Sequence, residues 1–126
     1  MRDADPIVMY LVVRRSLNLT SGKIGAQCGH AVQYLLQSYF IDLDPLLRAK
    51  REMTREWLAG DHAKITLGAD DQQYELVKME NPEFFKVVDL GYTQVAPDTE
   101  TALGLWPMRK ALGRQFFKHS SRCATR

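Results

Sequence analysis

Near its start the chain reads IVMYLVV, Ile7 to Val13, with no charged or turn-forming residue inside the run. A strand with one wet face alternates apolar and polar side chains. A continuous run suits a central strand covered on both faces. It falls well short of the roughly 20 apolar residues a membrane helix needs. No small-residue cleavage site follows it, so it reads as neither anchor nor secretion signal. A strand covered on both sides requires layers above and below it. The 126 residues, 45% of them hydrophobic, suffice for one such domain.

Helical periodicity supplies the layers. After the polar loop SLNLTSG, Ile24, Cys28, Ala31, Val32, Leu35 and Leu36 recur at helical spacing, predicting a helix from about Lys23 to Tyr39. Asp44-Pro45 is a helix start, with the acid as N-cap, and Gly60 closes that second helix. Ala63 to Leu67 reads as a strand. Residues 70–81 read as a short helix stopped by Asn81-Pro82. Phe84 to Val88 and Thr101 to Leu105 read as strands, joined by a loop broken at Gly91 and Pro97. Pro107 is expected to open a last helix through about Lys118, and residues 119–126 a frayed tail. The order β-α-α-β-α-β-β-α predicts a single-domain α/β fold. Its sheet is mixed and four-stranded, with helices on both faces and the last two strands antiparallel.

The net charge of +2 does not mark a general polyanion binder. Two cysteines, Cys28 and Cys123, make no disulfide framework. They suit a reduced compartment, so the cytoplasm is the expected location. His30, His62 and His119 are scattered, without the spacing of a metal site.

The first helix is unusual for one that only packs. Gly25 and Gly29 lie four apart on one flank, a spacing that can let another backbone approach closely, at about 1 kcal/mol each against Ala. Lys23, Gln27, His30 and Tyr34 line the opposite flank. Lys23 falls in the first turn, where the helix dipole disfavours a cation. Crossovers from strand to helix in open α/β sheets are where ligands bind. Asp89, expected half-exposed at a strand end, can pair with Lys23 and orient it. Taken singly, each residue also fits an ordinary surface or turn position.

Together these stretches resemble a known family. VVRRSLNLTSGKIGAQCGHA is similar to the first strand, loop and helix of type II peptidyl-tRNA hydrolases, the archaeal and eukaryotic kind. The core G-K-x-x-A-Q-C-x-H-A is present as Gly22, Lys23, Ala26, Gln27, Cys28, His30 and Ala31. The family's D-x-G-x-T-Q-x-x-P and T-x-L-G match Asp89, Gly91, Thr93, Gln94, Pro97, Thr101, Leu103 and Gly104. WLAGDHAKITLGADD also resembles the family's second-strand region. The likeness runs from residue 8 to about 107. It departs in the first loop, where Asn18 to Lys23 keeps one lysine of a lysine-rich pattern. It also departs at Leu90, at Leu105-Trp106 and in the basic tail.

The resemblance implies a compact mixed-sheet domain that hydrolyses the ester between a peptide and the 3′ ribose of tRNA, recycling tRNA from stalled translation. It implies no metal and no organic cofactor. Peptidyl-tRNA is the implied partner, no membrane is, and a homodimer is left open. Carried over by motif, the catalytic candidates are Lys23, Asp89 and Thr93, with Gln27 and His30 beside them. Asp89 or His30 would take a proton, Lys23 would stabilise the oxyanion, Thr93 would position the carbonyl or water, and Gln27 would orient a carbonyl. Cys28 sits in the apolar stripe and reads as core. Arg14, Arg15, Arg48, Arg51, Arg109 and Lys110 are candidates for tRNA phosphates, though RAKREMTRE equally suits a salt-paired helix face. Trp106 reads as core before it reads as a base-stacking platform. A non-catalytic RNA- or protein-binding homologue is the alternative function.

Overall fold

Strand β1 (Ile7–Arg14) is the centre of the molecule. In the structure, a computed structural model, residues 4–89 and 98–117 are described, together with the backbone of residues 121–122. None of Val8 to Val13 exceeds 3% exposure. Alternation divides the strand between two cores. Met9, Leu11 and Val13 join Ala31, Leu35, Trp57, Val87, Ala102 and Trp106 on one face. Val8, Tyr10 and Val12 join Leu67, Tyr74, Val77, Leu103, Leu105 and Phe117 on the other.

Helices α1 (Ser21–Ile41) and α2 (Arg48–Ala59) cover the first face. Helices α3 (Asp71–Glu80) and α4 (Lys110–Phe116) lie on the second. Asp44 accepts from the Leu46 amide at 3.0 Å and Pro45 opens a single 3₁₀ turn that leads into α2. Asp70 caps α3 in a reciprocal capping box with Gln73. Where α4 crosses the sheet, a Cβ on Gly113 would lie 2.1 Å from the Tyr10 ring, so only glycine lets the helix sit this close.

The remaining strands are β2 (Ala63–Ala69), β3 (Phe85–Asp89), β4 (Thr99–Gly104), β5 (Met108–Arg109) and β6 (Ser121–Arg122). The order is β3-β4-β1-β2-β6, with β5 also on β1. β1 and β2 are parallel, from Val8 opposite Ala63 to Arg14 opposite Ala69. β4 is antiparallel to both β1 and β3. β1, β2 and β3 therefore point the same way, and Arg14, Ala69 and Asp89 end at one edge. The expected mixed α/β sheet with helices on both faces and an antiparallel final pair is what forms.

Two local expectations differ. Pro107 does not open the last helix. Leu105 donates to the Tyr10 carbonyl at 3.0 Å, and Met108 and Arg109 return to pair with Val8 and Ile7. A proline φ serves an extended chain as well as a helix start, and the open edge of β1 decides the matter. The helix begins three residues later. Within the tail expected to fray, Ser121 and Arg122 pair with Gly68 and Leu67 of β2.

Candidate active site

The sheet edge where β1, β2 and β3 end is also where α1 and α3 begin. Thr20 is the N-cap of α1, its hydroxyl accepting from the Lys23 amide at 3.3 Å. This cap starts the helix two residues earlier than the apolar spacing indicates and makes Lys23 its third residue. One turn on, Gln27 projects from the same flank. Both reach the last residue of β3. Lys23 Nζ lies 2.5 Å from Asp89 Oδ2, and Gln27 Nε2 donates to the same oxygen at 3.0 Å. A cation in the first turn of a helix is thus matched by an adjacent carboxylate, which offsets the unfavourable dipole.

Asp89 is not half-exposed, as its strand-end position suggests. Its side chain is 2% exposed, and that of Lys23 16%. α1 lies over the end of β3 and covers the acid. A buried carboxylate requires this kind of pairing. Gln27 is buried too, and its Oε1 has no hydrogen-bond partner among the described residues. Its Nε2 is committed to Asp89, so the unmet group is an acceptor, suited to a hydroxyl or water and not to a carbonyl. A buried acceptor left unmet costs about 1–3 kcal/mol.

His30 shares the flank but is exposed, with its ring 6.5 Å from that of Tyr34 and no hydrogen bond or ion pair to Lys23 or Asp89. Thr93 lies outside the described residues, as do Gly91, Gln94 and Pro97. The segment they belong to leaves from Asp89 and returns at Asp98, whose amide donates to the Asp89 carbonyl at 2.8 Å. Cys28 packs in the core, its Sγ 3.8 Å from Thr66 Oγ1. Trp106 is buried against Phe85, with ring centroids 5.1 Å apart, and offers no stacking face. Among the described residues no other segment packs on Gly25 or Gly29: beyond the helix's own backbone, a Cβ on either would meet nothing within 4 Å.

A polar cluster on the other side of the sheet has no counterpart in the sequence reading. Glu100 stands opposite Val88, next to the Asp89–Thr99 pair. Lys78 Nζ lies 3.2 Å from each of its carboxylate oxygens. Burial, and then the neighbouring Glu100, push the Tyr74 phenol upward. Arg14 bridges this cluster to α3, donating to the Glu100 carbonyl at 2.8 Å and to Asp71 Oδ1 at 3.4 Å. Ser16 also donates to Asp71, at 2.7 Å, and this bond most of all holds the Asp71 carboxyl below its ordinary 3.8. The signal was an acid inside the strand pattern of DTETALG.

The basic candidates divide between the two ends of the sheet. Arg14 and Arg15 lie at the Asp89 edge. Arg15 is exposed and donates to the Gly68 carbonyl at 2.8 Å. Arg109 pairs with Ile7 at the start of β1, roughly 23 Å away along the strand, and Lys110 follows it. Arg109 donates to the Asp5 carbonyl at 3.0 Å. Arg51 donates to the Tyr39 and Asp42 carbonyls and so caps the far end of α1. Arg48 pairs with Glu52 at 3.8 Å on an exposed face. The six do not form one surface.

These features define a mixed-sheet α/β protein with a polar centre at the carboxyl ends of its parallel strands, built on a buried acid shared by a lysine and a glutamine. Among the described residues no group of three His, Cys, Asp or Glu is placed to hold a metal, and no helix is long and apolar enough to cross a membrane. Residues 7–121 match the family described as peptidyl-tRNA hydrolase PTH2. A peptidyl-tRNA hydrolase of Methanopyrus kandleri is 35% identical over 107 residues, covering 79% of this chain and 84% of the relative. The peptidyl-tRNA hydrolase 2 of Saccharomyces cerevisiae is 36% identical over 110 residues, covering 82% of this chain and 52% of the relative. The human peptidyl-tRNA hydrolase 2, mitochondrial, is 29% identical over 110 residues, 83% of this chain and 58% of its own. The chain belongs to the PTH2 family, and it spans little more than half the length of the human and yeast relatives.

Proposed function

We propose that this chain hydrolyses the ester linking a peptide to the 3′ ribose of tRNA. The observation that carries the reading is the Lys23–Asp89–Gln27 centre, which lies within the span, residues 7–121, that matches the family. Ester hydrolysis needs an activated water, a proton acceptor and charge stabilisation on the tetrahedral oxyanion. Asp89, held by two donors on one oxygen, takes the proton or fixes the water. Lys23 supplies positive charge beside the developing oxyanion. The unmet Gln27 Oε1 accepts from the water or from a ribose hydroxyl. Thr93 completes the set at the carbonyl. His30, exposed and a turn away, acts on the substrate's approach and not as the base. Arg14 and Arg15 border the site and meet the acceptor end of the tRNA, while Arg48, Arg51, Arg109 and Lys110 at the far end meet it only if the tRNA wraps the molecule. We place the reaction in the cytoplasm.

Single-turnover release of a labelled peptide from purified peptidyl-tRNA tests this. Wild-type protein should release it, and Asp89→Asn should be slower by on the order of 10²-fold or more, the scale for losing a positioned acid–base group. The lysine-poor stretch Asn18 to Gly22 favours the alternative of a binding module. Tight tRNA binding with no release above the protein-free control would establish that alternative. Release by Asp89→Asn at the wild-type rate would instead make Asp89 structural.

A further inference from the structure

Strand β3 forms one edge of the sheet, and its last residue is the acid of the ester site. Short edge strands are common and need no occupant. This one differs in where it leads. Among the described residues it pairs with β4 alone. The Val87 carbonyl accepts from the Thr101 hydroxyl at 3.4 Å, and the Asp89 carbonyl from the Asp98 amide at 2.8 Å. Both carbonyls therefore point toward β4. In an antiparallel pair, residues that turn their peptide groups to the partner alternate with residues that turn them away. Lys86 and Val88 thus turn N–H and C=O outward, along the open edge. Lys86 is exposed and Val88 half-buried.

One flank of α1 runs beside this edge. At 100° per residue, Lys23, Gln27, His30 and Tyr34 fall within roughly 60°. Cys28 lies on the other side of the core-facing stripe and meets Thr66 of β2. The first flank accordingly looks toward β3, where Lys23 and Gln27 meet Asp89. Beyond them on that flank His30 is exposed and Tyr34 half-buried.

We propose that the outer edge of β3 is the subsite for the peptide part of the substrate, which docks there as an added parallel strand. The proposal rests on the hydrolase reading and names what that reading leaves open, the recognition of the peptide. A peptide from stalled translation has no fixed sequence, so side chains cannot be what the protein reads. Peptide groups are common to every sequence, and strand addition reads those. The chemistry sets the direction. The esterified residue has its carbonyl at Asp89, the carboxyl end of β3, so the rest of the peptide extends back toward Phe85 and runs the same way as β3.

With the esterified residue beside Asp89, the second residue back from the ester lies beside Val88 and the fourth beside Lys86. A parallel ladder then fixes the bonds. The Val88 carbonyl accepts from the N–H of the esterified residue, and the Val88 N–H donates to the carbonyl of the third. The Lys86 carbonyl accepts from the N–H of the third residue. The Lys86 N–H donates to the fifth carbonyl, or to an acetyl cap on a four-residue peptide. The N–H of the second residue points away. An aminoacyl-tRNA carries a single residue and gains at most one of these four bonds.

Single-turnover release from N-acetylated peptidyl-tRNAs of one to four residues tests this on the wild-type protein. The half-saturating protein concentration should fall by about tenfold or more from one residue to four, the scale of three added hydrogen bonds. N-methylation of the third residue should raise it about fivefold, the scale of one such bond, and N-methylation of the second should leave it unchanged. Val88→Pro removes an outward N–H, at a place where an edge strand accepts proline. It should raise the value about fivefold for the four-residue substrate and leave the one-residue substrate unchanged. Melting is checked in parallel, and if this variant does not fold, the N-methyl scan on wild-type protein decides. A readout that needs no hydrolysis is hydrogen exchange with an amide-linked N-acetyl-tetrapeptidyl-RNA, which cannot be cleaved as an ester. Exchange at the Lys86 and Val88 amides should slow. Slowed exchange without release from any ester would end the hydrolase reading and leave the subsite standing. No gain from one residue to four, an equal cost of N-methylation at the second and third residues, or unchanged exchange at Lys86 and Val88 would each overturn the proposal.

Discussion

The two ends of the sheet use polar groups in opposite ways. At the end carrying Asp89, donors from α1 converge on one buried oxygen. At the other end, Arg51 and Arg109 point at backbone carbonyls that the ends of α1 and the N-terminal segment leave unsatisfied. Both ends are rich in charge, and charge alone does not tell them apart. Arg14 and Arg15 at the Asp89 end serve backbone carbonyls too, those of Glu100 and Gly68. What marks this end is that Lys23 and Gln27 converge on a buried carboxylate with chemistry of its own. A basic residue is a candidate for RNA only when its donors are not already committed to holding a helix end.

The sharpest test of that contrast is Asp89→Asn, which should lower release by at least about 10²-fold. It should also lower stability by about 1–3 kcal/mol, less than the 3–5 typical of a fully buried pair, since Lys23 still reaches solvent. Thermal melting in parallel separates the two effects. Next in size is Arg51→Ala, which should cost about 1–2 kcal/mol through two uncapped carbonyls while leaving release per folded molecule unchanged. A loss of tRNA affinity in this variant at full stability would erase the distinction between the ends. Arg15→Ala should do the reverse. It should cost less stability than Arg51→Ala, because Arg15 is exposed and the Gly68 carbonyl it serves lies within a strand and not at a helix end. It should also weaken tRNA binding several-fold and reduce the slope of log affinity against log salt by about one unit.

Asp71 should show the smallest effect. Its carboxyl is held below the ordinary value, first by Ser16, so its contribution to folding is complete above about 3.8 and disappears as pH falls through the lowered value. The wild type should therefore lose slightly more melting temperature than Asp71→Asn as pH drops through that window. Equal losses would mean that the Ser16–Arg14–Asp71 contact contributes nothing to folding.

Much of the centre was legible from local rules. A short uninterrupted apolar run rich in valine suits a strand covered on both sides, and β1 is one. Residues four apart on a helix share a flank, so Lys23 and Gln27 had to point the same way, whatever they met. An acid ending a strand beside a crossover had few other partners. These are statements about neighbours in sequence, where periods of 2 and 3.6 operate directly.

Other features depended on how distant segments met. The burial of Asp89 required α1 to lie over the end of β3. The division of the arginines between two ends followed from the directions in which α1 and β1 run. Pro107 became a break between two strand pieces because β1 had an open edge there. Ser121 and Arg122 gained a strand because β2 had another. Gly25 and Gly29 were compatible with a close neighbour at their spacing, and the fold left them facing outward. In each case the sequence set what a residue could do, and the chain's path set what stood in front of it, because contacts between distant segments carry no period for a sequence to display.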